Sequence, residues 1–166
     1  INRATPKTQS ALLEAMEEHR VTVEGTTYDL PAPFMVIATQ NPVEQVGTYP
    51  LPESQLDRFL ITTGIGYPPE EMERAIIQAG SIREGIREIR PLLELDELLT
   101  ARRAIREEVL LSAKITEYIY RLVSATREHH LLLAGISTRG AISLADASRS
   151  HAFLAGRDHV VPEDVK

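Results

Sequence analysis

Asn41, Arg58 and Arg139 are the side chains in this sequence best suited to handling a phosphate group. Asn41 follows the apolar run Phe34-Met35-Val36-Ile37-Ala38, which is unalternating and reads as a strand buried on both faces. The carboxyl end of such a strand in an open α/β sheet is where ligands collect. A short amide there can position a water and a phosphate oxygen; the competing reading is an Asn41-Pro42 turn. Arg58 forms an Asp57-Arg58 pair in a short helix after a loop rich in proline. It could reach a neighbouring subunit's nucleotide and stabilise charge in phosphoryl transfer, or belong to an ordinary surface ion pair of little energetic consequence. Arg139 follows Gly135-Ile136-Ser137-Thr138 and falls in the first turn of a helix. A cation there opposes the helix dipole unless an anion offsets it. A bound phosphate is one such anion; an exposed arginine at slight cost is the alternative.

Other chemistry is thinly represented. His129, His130, His151 and His159 show no metal-ligand spacing and read as surface or core fillers, while His19 sits at a helix end where it meets the dipole favourably. Tyr118 and Tyr120 read as packing residues of a helix. No serine stands in a nucleophile-elbow sequence, no paired-carboxylate geometry can be inferred, and no metal ligands are assigned. With no cysteine, disulfides and thiolate metal sites are excluded.

The elements that must position these residues follow from capping, period and breakers. Thr5-Pro6 reads as an N-cap with proline at the first helical position, opening a helix to about Glu18 with Leu12, Ala15 and Met16 on one face. Val21-Thr22-Val23 and Thr27-Tyr28-Asp29-Leu30 flank Glu24-Gly25 as a hairpin whose turn needs the glycine. The run at 34–38 is the next strand; Glu53 to Phe59 is a short helix, and Leu60-Ile61-Thr62-Thr63 a further strand. Beyond Pro69 only helices are expected, at about 70–80, 96–108, 112–129 and 138–155, with one more starting at Pro162-Glu163-Asp164. Ser112 caps the third, in which Ile115, Ile119, Leu122, Val123 and Thr126 keep the 3.6 period; the fourth buries mostly alanines. An α/β portion over 1–68 therefore precedes an all-α portion over 69–166.

Composition narrows the class. A chain of 166 residues, 43% apolar and 25% charged, can build a packed core. No apolar run approaches the ~20 residues of a membrane span, no signal peptide is visible, and the cytoplasm is the default location. Net charge is −6, with 24 acidic against 18 basic side chains, the opposite of what phosphate neutralisation on nucleic acid requires. A chain opening Ile1-Asn2-Arg3, without an initiator methionine, reads as a cut piece.

Three stretches closely resemble the MoxR family of AAA+ ATPases: Pro6-Lys7-Thr8-Gln9-Ser10-Ala11-Leu12-Leu13-Glu14-Ala15-Met16-Glu17-Glu18, Ala38-Thr39-Gln40-Asn41-Pro42, and Gly47-Thr48-Tyr49-Pro50-Leu51-Pro52-Glu53-Ser54-Gln55-Leu56-Asp57-Arg58-Phe59. The resemblance runs from Ile1 to Val165. It implies a partial P-loop AAA+ core, with the sensor-1 strand, the last strand and a β-hairpin insertion lining a ring's pore, followed by a helical lid. Asn41 would be sensor 1, Arg58 the arginine finger acting in trans, and Arg139 the sensor-2 residue on the ATP phosphates. The parent would use ATP and Mg2+, assemble as a hexameric ring, and remodel or activate a protein client such as a metal-binding von Willebrand A-type protein. The family pattern around sensor 2 is Gly-x-Ser-Pro-Arg-Ala, where this chain has Thr138 and Gly140 beside Arg139; Thr138 could still cap the helix. No G-x-x-x-x-G-K-[ST] loop occurs, and no Asp-Glu pair precedes Ile1. The Mg2+ ligands and catalytic carboxylate are therefore expected elsewhere, and this chain alone is expected to be inactive. Without a P-loop strand, the strands at 34–38 and 60–63 lose their shared neighbour and expose their edges. The fragment alone is then expected to swap segments between copies or to keep only the lid well ordered. Two other readings stay open: a non-catalytic binding or regulatory module built on the lid, and a DNA- or chelatase-associated AAA+ relative.

Overall fold

In the computed structural model, which describes residues 1–41, 47–80, 85 and 89–166, the chain opens with helix α1, Pro6–Glu18. Thr5 caps it, its side-chain oxygen accepting from the Thr8 N–H, and Pro6 fills the first turn where a missing N–H costs nothing. The helix stops at His19, whose φ of 53° is left-handed; its N–H still donates to the Ala15 carbonyl. His19 thus stands at the helix end as its C-cap. Strands β1 (Arg20–Val23) and β2 (Thr26–Asp29) then form an antiparallel hairpin with Val21 opposite Tyr28. Glu24 and Gly25 both have positive φ, the geometry of a two-residue primed turn that matches strand twist. The turn requires the glycine, as its sequence position suggested.

The remaining helices are α2 (Glu53–Leu56), α3 (Glu70–Ala79), α4 (Leu95–Glu108), α5 (Ala113–Glu128) and α6 (Thr138–Leu154), with a 3-10 turn at Pro162–Asp164. Helix α2 is shorter than expected: Asp57 to Phe59 continue as turns, with Arg58 N–H on the Gln55 carbonyl and Phe59 N–H on that of Leu56. Contacts group the chain into two units, Ile1–Leu60 with Ile105–Lys166, and Ile61–Ala104.

The runs at 34–38 and 60–63 are not strands. Phe34 and Val36 are half-buried while Met35 and Ile37 are 76% and 82% exposed, so one side of an extended segment is covered and the other bare. Leu60 and Ile61 are likewise exposed. A strand exists only through its ladder, and no described residue outside the hairpin supplies one. The expectation of burial on both faces is thereby corrected.

In the larger unit, Gln9, Leu13, Ala15 and Leu51 are buried. The Gln9 amide donates to the carbonyls of Ile1 (3.3 Å) and Tyr49 (3.0 Å), and the Tyr49 N–H donates to the Asn2 carbonyl (2.7 Å). The helical core of the same unit comprises Val109, Ile115, Ile119, Val123, Ala152, Val160 and Val165. Ser112 caps α5, and its Ile115, Ile119 and Val123 face the core as their spacing predicts; Leu122 is 40% exposed, one position off that stripe. Ala152 and Ser148 of α6 are fully buried, which brings the backbones of α5 and α6 close.

Two local devices lock this helical part. Gly135 passes so near α5 that an added Cβ would lie 2.4 Å from the Cα of Arg127, while the Ile136 N–H donates to Thr126 Oγ1 and its carbonyl accepts from Arg127 Nε. Near the C-terminus the Asp164 carboxylate, wholly buried, accepts from Arg157 (2.5 and 2.6 Å), from the Val161 N–H (2.8 Å) and from His151 Nδ1 (2.6 Å). The Arg157 hydrogen bonds hold its carboxyl far below the usual carboxylate range against the opposing effect of burial, with Val161 and His151 assisting.

Gly135→Ala should destabilise this part by about 1–3 kcal/mol, since backbone, not a side-chain tip, must move; differential scanning calorimetry of the full-length protein checks it. Asp164 ionises more readily folded than unfolded. Its stabilising contribution is complete above the ordinary carboxylate pKa and is lost as pH falls through the lower folded value. The melting temperature should therefore drop as pH is lowered below about 4, and Asp164→Asn, less stable at pH 7, should show a flatter acid limb.

Candidate functional site

Helix α6 places Arg139 second from its start, and the N-cap is Ser137 rather than Thr138. The Ser137 hydroxyl accepts from the Gly140 N–H at 3.0 Å and donates to Asp57 Oδ1 at 2.6 Å. One hydroxyl thus both satisfies a free helix-end donor and binds a carboxylate from the turn after α2. Asp57 sits favourably at the positive end of the α6 dipole. Its second oxygen accepts from Arg139 Nη1 at 3.3 Å.

Arg139 then reaches further. Its Nη2 donates to Glu17 Oε1 at 2.9 Å, and the other oxygen of Glu17 is held by Arg58 Nη1. Arg58 also donates from Nη1 to the Leu13 carbonyl at 3.4 Å. A continuous polar chain results, running from the Leu13 carbonyl through Arg58, Glu17, Arg139 and Asp57 to Ser137. Two guanidiniums and two carboxylates alternate, so charge cancels within it. The dipole penalty expected for Arg139 is offset by Asp57 and Glu17. Side-chain exposure is 29% for Arg58, 31% for Asp57, and 45% for both Glu17 and Arg139, so these contacts are wetted and exchangeable.

Arg58 borders a cleft of about 210 Å3 lined by Ser10, Leu13, Glu14, Glu17, Glu18 and Gln55. Arg58 Nε and Gln55 Oε1 are buried and find no hydrogen-bond partner among the described residues. The guanidinium therefore retains unused donor capacity.

The three phosphate-handling candidates divide. Arg58 and Arg139 meet on one carboxylate, although 81 positions separate them in sequence. Asn41 is exposed and held through its backbone: its carbonyl accepts from the Asn2 amide at 3.2 Å. Pro42, which would define an Asn-Pro turn, lies outside the described residues. Glu17 went unremarked in the sequence, and Asp57 was read there as the partner of Arg58, whereas it pairs with Arg139 and Ser137 and Arg58 pairs with Glu17; these roles depend on long-range contacts. The one available signal was the conflict of Arg139 with the helix dipole, which demands a nearby anion without naming it. Among the described residues no group of three His, Asp or Glu is placed to hold a metal ion, and no helix is long and apolar enough to cross a membrane. His151 and His159 have carboxylate partners in Asp164 and Asp158, and His129 stacks on His130.

Residues 1–61 match the family described as "ATPase family associated with various cellular activities (AAA)", and residues 124–166 match the AAA lid domain. The Bacillus subtilis protein YeaC is 45% identical over 100% of this chain and 52% of its own length. The chaperone MoxR1 of Mycobacterium tuberculosis is 41% identical over 99% of this chain and 45% of its own. A crystal structure of a candidate ATPase from Cytophaga hutchinsonii superposes with a TM-score of 0.87 at 42% identity, covering 99% of this chain and 52% of that one. The chain spans about half the length of the curated relatives it matches. With a partial AAA+ core preceding a helical lid, and with relatives that bear the MoxR name, the chain belongs to the MoxR family of AAA+ ATPases.

Proposed function

We propose that this chain supplies the phosphate-sensing and charge-stabilising side chains of an ATPase that remodels protein partners. The observation that supports it is the convergence of Arg58 and Arg139 on the two oxygens of one carboxylate, Glu17. A carboxylate with one guanidinium on each oxygen is the arrangement a terminal phosphate would adopt in its place, since arginine donors suit both anions. On this reading 1–68 is the downstream part of the ATPase subdomain and 69–166 the lid.

The chemistry assigned to these residues is electrostatic. In ATP hydrolysis water attacks the γ-phosphorus, the bond to the bridging β,γ-oxygen breaks, and the products are ADP and phosphate. Negative charge spreads over the equatorial oxygens and the leaving oxygen, where a positioned guanidinium gains strength relative to the ground state. Arg58 is the arginine finger acting on the next subunit of a hexameric ring. Arg139 is the sensor-2 side chain that couples a bound phosphate to the lid through α6. Asn41 is sensor 1, orienting water and a phosphate oxygen. Magnesium would neutralise phosphate charge when bound, and the role proposed for Asn41, Arg58 and Arg139 is the handling of phosphate oxygens. The chaperone name of the mycobacterial relative supports a protein client, for which a von Willebrand A-type partner in the cytoplasm is the form we favour. The excess of acidic side chains, 24 against 18, disfavours nucleic acid in that role.

In the full-length protein, Arg58→Ala should lower kcat by about 10³-fold or more while ATP binding persists; turnover at the wild-type rate removes the finger assignment. Arg139→Ala should instead raise the ATP dissociation constant by roughly tenfold, the loss of one charge-assisted contact. Calorimetric titration measures it, and unchanged binding and turnover refute the role.

A further inference from the structure

The two arginines are not waiting empty-handed. Arg139 is bound on one side by Asp57 and on the other by Glu17; Arg58 is bound by Glu17 and by the Leu13 carbonyl. Glu17 is the one anion common to both. We propose that Glu17 is a resident counter-ion, which a nucleotide phosphate must displace from Arg58 and Arg139, so that this carboxylate sets how tightly the site binds nucleotide. The inference rests on the reading of those arginines as phosphate ligands.

Three features make Glu17 the group that yields. It lies in the last turn of α1 and its side chain is 45% exposed, so on leaving it exchanges guanidinium contacts for water at little cost. A terminal phosphate carries more charge than a carboxylate and offers more acceptor oxygens, which favours it in direct competition. Both arginines also keep an anchor when Glu17 departs. Arg139 retains Asp57, itself fixed by Ser137 at the start of α6. Arg58 retains the Leu13 carbonyl, and its Nε is buried without a partner among the described residues. Displacement of Glu17 thus leaves two oriented donors rather than two loose side chains. Asp57 is not an equivalent competitor, because the Ser137 hydroxyl and the α6 dipole both hold it in place.

The test is ATP binding and turnover by the full-length protein carrying Glu17→Gln, with Glu14→Gln as a control that lines the same cleft. Removing the competing charge should lower both the dissociation constant of a non-hydrolysable ATP analogue and the KM for ATP by about 3–10-fold, the scale of one or two exposed ion pairs. Glu17→Asp keeps the charge but shortens the reach, and should give a smaller fall; it also serves if the Gln variant folds poorly. A structural role would lower the melting temperature or kcat without tightening binding. Unchanged or weaker binding in both Glu17 variants, alongside an impaired Arg139→Ala, overturns the counter-ion role and leaves the arginine assignments standing. If Arg58→Ala and Arg139→Ala also behave as wild type, the phosphate reading itself falls, and the counter-ion role with it.

Discussion

A cation in the first turn of a helix needs an anion, and the described structure answers that demand for Arg139 of α6 twice, with Asp57 and with Glu17. Each answer imposes a further constraint. Asp57 can serve only if the turn after α2 lies against the N-terminus of α6, and the Ser137 hydroxyl secures that by capping the helix and binding the carboxylate together. Glu17 can serve only if the end of α1 comes within reach, and it then draws in Arg58 from the other side. Segments distant in sequence are thereby tied at one line of charge. Each link is worth little alone at this exposure; alternation of sign along the line keeps any one charge from standing uncompensated.

Much of the fold was readable because its signals are local. Thr5-Pro6 and Ser112 start helices where their chemistry says they should, and Glu24-Gly25 makes the turn that only positive φ permits. The period of Ile115, Ile119 and Val123 marks a core face, and only Leu122 at its margin misleads. The runs at 34–38 and 60–63 failed for the opposite reason. Their apolar composition describes an environment, and strand character depends on a neighbour that a run cannot encode by itself. At the site, residue type singled out Arg58 and Arg139, yet nothing local could reveal that both hold Glu17.

Glycine shapes the segment that leads into Arg139. At Gly140 an added Cβ would lie 2.8 Å from Ile136 Cγ2, so the small residue and the branched side chain four positions earlier are matched to one another. Helix propensity alone counts Gly140 as a defect, whereas packing makes it a fit. Gly135 is the stronger case, because its neighbour is the Arg127 backbone, which cannot swing aside. Gly135 and Ile136 together pin the approach to Ser137, and hence the direction in which Arg139 leaves the helix.

The chain contains the same ion-pair chemistry in two settings, and the contrast separates structure from function. Asp164 is fully buried and satisfied by Arg157, Val161 and His151. Exchange of any partner there would strand a charge away from water, so the cluster is a fastener. Glu17, Asp57, Arg58 and Arg139 use the same groups at 29–45% exposure, where a departing carboxylate is met by solvent. Burial makes the first arrangement costly to open; hydration makes the second cheap to rearrange. On the proposed reading, a site that binds and releases phosphate in every cycle requires the second kind, with its arginines held in place by groups other than the anion they exchange.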